Sequence, residues 1–304
     1  YMALIREMNK LKIILLFTTS FLSCRNETED IKIQFLIQEI PSDTPLEFKQ
    51  NIIPQNKLIH KGMFSPDLEE YYYTISDKNF DSFEVYVIKK GNKNWSEPKK
   101  AFFNSKYNEH GMSFSPNGTT LYFSSTRPVD IDGIHSTWHI WKSNKTNGEW
   151  SEPVFVDIPN LRNKLVSHPT ITNSGTLYFH SSNIDYSEMD IYRSKQINGK
   201  FENAEKTSIK IISKTGNCTP YISPNEDYLI FASIGSQLDL MISFNDGNDE
   251  WVNTKKLNSK INKNGQGNPY VTPDNKFLFY TTGEHLKKNW RVNWINIESE
   301  LKNN

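Results

Sequence analysis

Phe114-Ser115-Pro116-Asn117-Gly118-Thr119-Thr120-Leu121-Tyr122-Phe123-Ser124-Ser125 is the stretch on which the reading of this chain turns. An apolar residue, a Ser-Pro-Asn-Gly corner and a second apolar run describe two antiparallel strands joined by a tight turn. Pro presets φ, and Gly tolerates positive φ. The phrase recurs as Phe64-Ser65-Pro66-Asp67 before Tyr71-Tyr72-Tyr73, and as Ile171-Thr172-Asn173-Ser174-Gly175 before Leu177-Tyr178-Phe179. Two further copies are Ile222-Ser223-Pro224-Asn225 before Leu229-Ile230-Phe231 and Val271-Thr272-Pro273-Asp274 before Leu278-Phe279-Tyr280.

Between Pro66, Pro116, Asn173, Pro224 and Pro273 the spacings are 50, 57, 51 and 49 residues. A period near 50 with four strand signals per unit predicts a β-propeller with one repeat per blade. In the first unit strand a leads into Ser65-Pro66, strand b is Tyr71 to Ile75, strand c is Phe83 to Ile88, and strand d starts at Trp95-Ser96-Glu97-Pro98. The second unit repeats this with His139-Ile140-Trp141 and Trp150-Ser151-Glu152-Pro153, the third with Asp190-Ile191-Tyr192 and Phe201, the fourth with Asp239-Leu240-Met241 and Trp251. Apolar triplets in b suit strands covered on both faces, and the aromatic at d suits packing between blades. The fifth unit has strands a, b and c but no d before Glu298-Ser299-Glu300-Leu301. Pro45 to Ile53, just ahead of the first strand a, supplies the missing piece. The expectation is an all-β, five-bladed propeller closed by an N-terminal strand that pairs into the last blade and removes the open edges.

Composition agrees. Apolar residues make up only 36% of the 304, but aromatics reach 13%, a balance suited to many half-buried strands. Lys plus Arg and Asp plus Glu each total 35, so no net field or basic stripe draws nucleic acid. Cys24 and Cys218 are too few for a disulfide framework or a zinc site.

Lys10 and Lys12 precede an apolar run from Ile13 to Phe21, the pattern of an export signal and too short to span a bilayer; Met8 is a candidate start. Phe21-Leu22-Ser23-Cys24 resembles the lipobox of bacterial lipoproteins, which implies cleavage before Cys24 and a lipid anchor on it. Arg25-Asn26-Glu27-Thr28-Glu29-Asp30 reads as a polar tether, and Arg25 behind the Cys favours outer-membrane delivery over inner-membrane retention. The chain divides into a signal (1–23), a tether (24–44), the propeller (45–298) and a tail (299–304).

The repeated Phe-Ser-Pro-Asp/Asn, together with Leu-Tyr-Phe-Ser-Ser-Thr-Arg-Pro (121–128), Asp-Ile-Tyr (190–192) and Trp-Ser-Glu-Pro (150–153), resembles the PD40, or WD40-like, repeat. Such repeats build the propeller of the TolB translocation protein and of many bacterial envelope lipoproteins. The resemblance covers residues 45 to 298 and departs from the pattern at Asn173 and at Arg291-Val292-Asn293. It implies an interaction platform in the cell envelope.

In a propeller the starts of the a strands and the b-to-c loops converge on one mouth of the central channel. Reading back from each turn gives His60, His110, Ser167 with His168, Cys218 with Thr219, and Gly267 with Asn268. The b-to-c loops add Arg127, Asp130 and Asp132, then Asp185, Tyr186 and Glu188, then Glu284 and His285. His60, His110, Arg127, Asp130, Asp132, His168, Asp185 and Asn268 form the candidate ligand cup. His60 and His110 are open to a second reading as hydrogen-bonding anchors where strands begin. Asp130-Ile131-Asp132-Gly133 lacks the later ligands of a calcium loop, and Cys218 reads as a packed side chain. No nucleophile motif, P-loop or dinucleotide fingerprint is present, and no cofactor or metal is expected. Two functions stay in play: a non-enzymatic binder of an envelope protein or glycan, and a carbohydrate-active enzyme using a pair among Asp130, Asp132, Asp185 and Glu188.

Overall fold

The computed structural model describes residues 39–48, 56–92, 94–209, 216–284 and 287–302. The export signal, Cys24, most of the tether and His285 lie outside the described residues. Five antiparallel sheets form a five-bladed β-propeller. Blade 1 orders its strands a to d as Leu58–Phe64, Glu70–Ser76, Phe83–Lys89 and Lys99–Lys100. In blade 2 they are Glu109–Phe114, Thr120–Ser125, His139–Thr146 and Val154–Phe155, and in blade 3 Leu165–Ile171, Leu177–Ser182, Asp190–Ser194 and Glu205–Lys206. Blade 4 uses Asn217–Ile222, Tyr228–Ile234, Leu238–Asn245 and Trp251–Lys256.

Blade 5 contributes Gly265–Val271, Phe277–Gly283 and Arg291–Asn296, and its fourth strand is Leu46–Glu47 from the other end of the chain. Leu46 pairs with Trp294 and Glu47 with Asn293; the Phe48 N–H then donates to the Val292 carbonyl at 2.8 Å. The Phe48 ring is 1% exposed and meets Tyr71 and Phe279 at 4.9 Å, Trp294 at 5.5 Å and Phe64 at 6.0 Å between ring centres. One residue thus extends the ladder of blade 5 with its backbone and packs its ring against blade 1.

The repeated phrase forms the a-to-b corner of every blade. Ser115 Oγ donates to Asn117 Oδ1 at 2.7 Å and accepts from the Thr120 N–H at 2.9 Å. Ser65 does the same with Asp67 and Glu70, and Thr272 with Asp274 and Phe277. Two residues after the turn Pro, Leu68, Gly118, Glu226 and Asn275 all take positive φ, as Gly175 does after Asn173. Three of the five corners therefore carry a side chain in the left-handed region that glycine occupies freely.

The d strands differ from the expectation in blades 1 to 3. Trp-Ser-Glu-Pro does not open strand d but continues the hairpin from c: Ser96 and Ser151 return hydrogen bonds to Lys89 and Asn144. Pro98 and Pro153, which have no N–H to give a ladder, break the pairing, and d begins one residue later. In blade 3 Phe201 likewise lies in a separate hairpin with Gln196 ahead of Glu205–Lys206. Only Trp251 starts its d strand, where it is 1% exposed against Tyr178 of blade 3.

Phe48→Ala is expected to lower the unfolding free energy by about 3–5 kcal/mol, the usual cost of emptying a buried aromatic site, because it opens the ring seam as well as a cavity. Urea unfolding followed by Trp fluorescence measures it; a loss below about 1 kcal/mol contradicts the seam described here.

Candidate functional site

Strand a of each blade is interrupted by a bulge near its start. Counting back from the turn, the equivalent residues there are His60-Lys61, His110-Gly111, Ser167-His168, Cys218-Thr219 and Gly267-Asn268. Gly111, His168, Thr219 and Asn268 all take positive φ at 47 to 59°, which turns the chain toward the channel and brings neighbouring blades into contact.

Those contacts run from blade to blade. Ser167 Oγ donates to Ser124 Oγ at 3.0 Å, and the His168 N–H to the same oxygen at 2.9 Å, joining blades 2 and 3. The Thr219 N–H donates to His180 Nδ1 at 3.2 Å, joining 3 and 4. The Asn268 N–H reaches Thr219 Oγ1 at 3.2 Å, and Asn268 Nδ2 donates to the His60 carbonyl at 2.7 Å, carrying the belt from 4 through 5 to 1. Between blades 1 and 2 the Phe83 N–H donates to Asn108 Oδ1 at 2.9 Å, and the Phe83 and His110 rings lie 5.4 Å apart.

Four imidazoles line this belt. His110 lies 4.5 Å from His168 and His168 4.8 Å from His180, ring centre to ring centre; the His60 ring bonds Ser76 Oγ at 2.6 Å. Aromatic rings stand beside them where c strands begin: Trp138 is 4.0 Å from His110, Phe83 5.3 Å and Phe80 5.5 Å from His60, and Trp290 6.5 Å from His60. Burial pushes His60 down to about 4 and His180 to about 3. His110 and His168 are held well below the ordinary imidazole value, first by burial and then by their imidazole neighbours and Lys61. All four are uncharged at neutral pH. Because the His180 Nδ1 accepts the Thr219 N–H, its neutral form carries the proton on Nε2.

The structure gathers His60, His110, His168 and Asn268 and leaves the other candidates apart. Arg127 turns into blade 2. Its guanidinium bonds the Phe103 carbonyl and the fully buried Glu109 carboxylate (3.3 Å), and stacks over Phe123 and Trp141. Asp130 and Asp132 are exposed in the b-to-c loop of blade 2, and no hydrogen bond or ion pair among the described residues joins them to the histidines. Asp185 closes its own turn by accepting from the Ser187 N–H and Oγ, and Glu188 sits exposed opposite Lys164. Asp77, which follows the His60 partner Ser76, accepts from Ser82 Oγ and from the N–H groups of Ser82, Asn79 and Asp81, which holds its carboxyl well below the usual carboxylate range. Cys218 is buried, and its thiol is pushed up to about 12. Among the described residues no group of three or more His, Cys, Asp or Glu is arranged to hold a metal ion.

His180, Lys61 and the flanking aromatics escape a reading that counts only the start of strand a. His180 follows the apolar triplet of its b strand, where Thr74, Ser124, Ala232 and Thr281 stand in the other blades; a polar residue at that recurring place is the signal that identifies it. Lys61 is betrayed by a charge inside an otherwise apolar strand.

No protein-family model and no curated protein matches this chain. Solved structures share its fold. TolB from Acinetobacter baumannii aligns at a TM-score of 0.49 and 14% identity, over 80% of this chain and 55% of that one. A glycoside hydrolase aligns at 0.53 and 8% over 88% and 94%, and a GH43 endo-arabinanase from Bacillus licheniformis at 0.49 and 14% over 84% and 96%. The chain therefore spans about half the length of TolB, and at these identities the likeness is one of fold.

The depressed imidazoles tie stability to pH. Unfolded chains take up these protons near pH 6.5, whereas the folded protein does not until about 4 at His60 and about 3 at His180. The unfolded state binds more protons within that window, so stability is full above about pH 6.5 and falls as pH drops toward 4. Urea midpoints between pH 7.5 and 5 are expected to fall steadily in the native chain and less steeply in His60→Gln; equal slopes contradict the assignment.

Proposed function

We propose that this protein is a non-enzymatic binding propeller whose histidine and aromatic mouth takes an uncharged, hydroxyl-rich partner, a glycan of the cell envelope. The observation that carries the reading is the composition of the mouth: four neutral imidazoles, two of which, His60 and His110, lie in ring contact with Phe80, Phe83, Trp138 and Trp290. Neutral imidazoles give and accept hydrogen bonds without demanding a counter-ion, and aromatic faces pack against the C–H faces of sugar rings. Hydrolysis of a glycosidic bond by the usual route requires two carboxyl groups flanking one bond. Here the described candidates are dispersed, with Asp130, Asp132, Asp185 and Glu188 exposed on loops and Glu109 committed to Arg127. That dispersal favours binding over cleavage. The PD40-like repeat pattern and the lipobox-like Phe21-Leu22-Ser23-Cys24 support the wider setting we infer: an outer-membrane lipoprotein held through Cys24, with the propeller presented beyond a polar tether.

Calorimetric titration of envelope oligosaccharides, followed by chromatography of the mixture, tests this. Binding is expected without release of sugar. His110→Ala and Trp138→Ala should each weaken it about tenfold, or about 1.4 kcal/mol, while Asp130→Ala and Asp185→Ala leave it unchanged. Released sugar that disappears in either Asp variant overturns the reading in favour of a hydrolase, and retention of full affinity by both mouth variants removes the mouth as the site.

A further inference from the structure

At the other end of the channel, the five a-to-b corners surround a cavity of ≈ 260 Å³. Its wall is apolar, built from Phe114, Ile171, Tyr221, Tyr270 and the turn prolines, and of its lining residues only Lys61 carries a charge. Lys61 lies three residues before Phe64 in its strand; its counterparts in the other blades are Gly111, His168, Thr219 and Asn268. It is 5% exposed, yet its ammonium makes no hydrogen bond and no ion pair among the described residues. A nearly buried cation without a protein partner is costly, and a fold carries one most readily where something reaching its remaining exposed surface supplies the counter-charge. Burial pushes Lys61 down to about 8, so the amine is still largely protonated at neutral pH.

We propose that this cavity is a binding site for a small carboxylate with an apolar body, its carboxylate paired with Lys61 and its body packed among Phe114, Tyr221 and Tyr270. The charge count selects a monoanion, because one ammonium with no second cation in the lining leaves a phosphate dianion half-neutralised in an apolar wall. The volume selects the size. A cavity of about 150 Å³ holds benzene, so ≈ 260 Å³ admits one ring or branched chain with a short carboxylate arm. The cavity lies at the corner end of the channel, and Lys61 stands between it and the histidine belt, where its charge disfavours protonation of His110 and His168.

The test is calorimetry of the full chain with 3-phenylpropionate, benzoate and 4-methylpentanoate, with 3-phenylpropionamide and inorganic phosphate as comparisons. At least one carboxylate is expected to bind saturably, and the neutral amide at least tenfold more weakly than its acid. Phosphate is not expected to compete. Lys61→Met and Lys61→Gln should each lose at least tenfold in affinity while remaining folded by circular dichroism, since removing a buried unpaired charge is neutral or stabilising. Unchanged affinity in both folded variants overturns the proposal, as does competition by phosphate or the absence of saturable binding by all three carboxylates.

Discussion

No blade of this protein can bury its own second strand. Tyr71-Tyr72-Tyr73, Leu121-Tyr122-Phe123, Leu177-Tyr178-Phe179, Leu229-Ile230-Phe231 and Leu278-Phe279-Tyr280 are all buried, and a strand apolar on both faces must have a blade on each side. The constraint propagates around the molecule until the last blade meets the first. A gap there would expose an edge and an aromatic face together. Leu46 to Phe48 fill it, by pairing with Trp294 and Asn293 and by inserting Phe48 among aromatic rings of blades 5 and 1. The outer seam and the inner belt of hydrogen bonds are two solutions to the same demand for closure.

The belt also decides what the channel can do. The bulges of strand a and the inner end of strand b bring polar side chains inward, where burial removes the charge from His60, His110, His168 and His180. The single lysine among them adds to the penalty on protonating His110 and His168. What results is a channel with neutral imidazoles beside aromatic rings at the belt and a largely apolar cavity at the corners, with Lys61 between them.

Much of this was legible in the chain because a propeller repeats its geometry. The Phe114 phrase located five corners, and the missing strand after Ile295 led to Leu46 at the opposite end. Register along strand a likewise pointed to His60, His110, His168 and Asn268, since equivalent positions in a ring become neighbours. Loops obey no such rule. Arg127, Asp130, Asp132 and Asp185 share a loop position, but Glu109 captures the arginine, Ser187 satisfies Asp185, and the blade 2 loop holds its aspartates in solvent. The Trp-Ser-Glu-Pro phrase misplaced the d strands for a local reason: its proline cannot donate to the ladder, so the aromatic belongs to the hairpin before it.

The neutral mouth requires the histidines to be uncharged. Titration of the imidazole carbon-bound protons by NMR from pH 8 to pH 5 addresses this most directly, with each resonance assigned by a His→Gln variant. His60, His110, His168 and His180 are expected to show no titration across that range. A midpoint near the ordinary value of about 6.5 for any of the four would mean a charged, solvated channel and would contradict the neutral mouth.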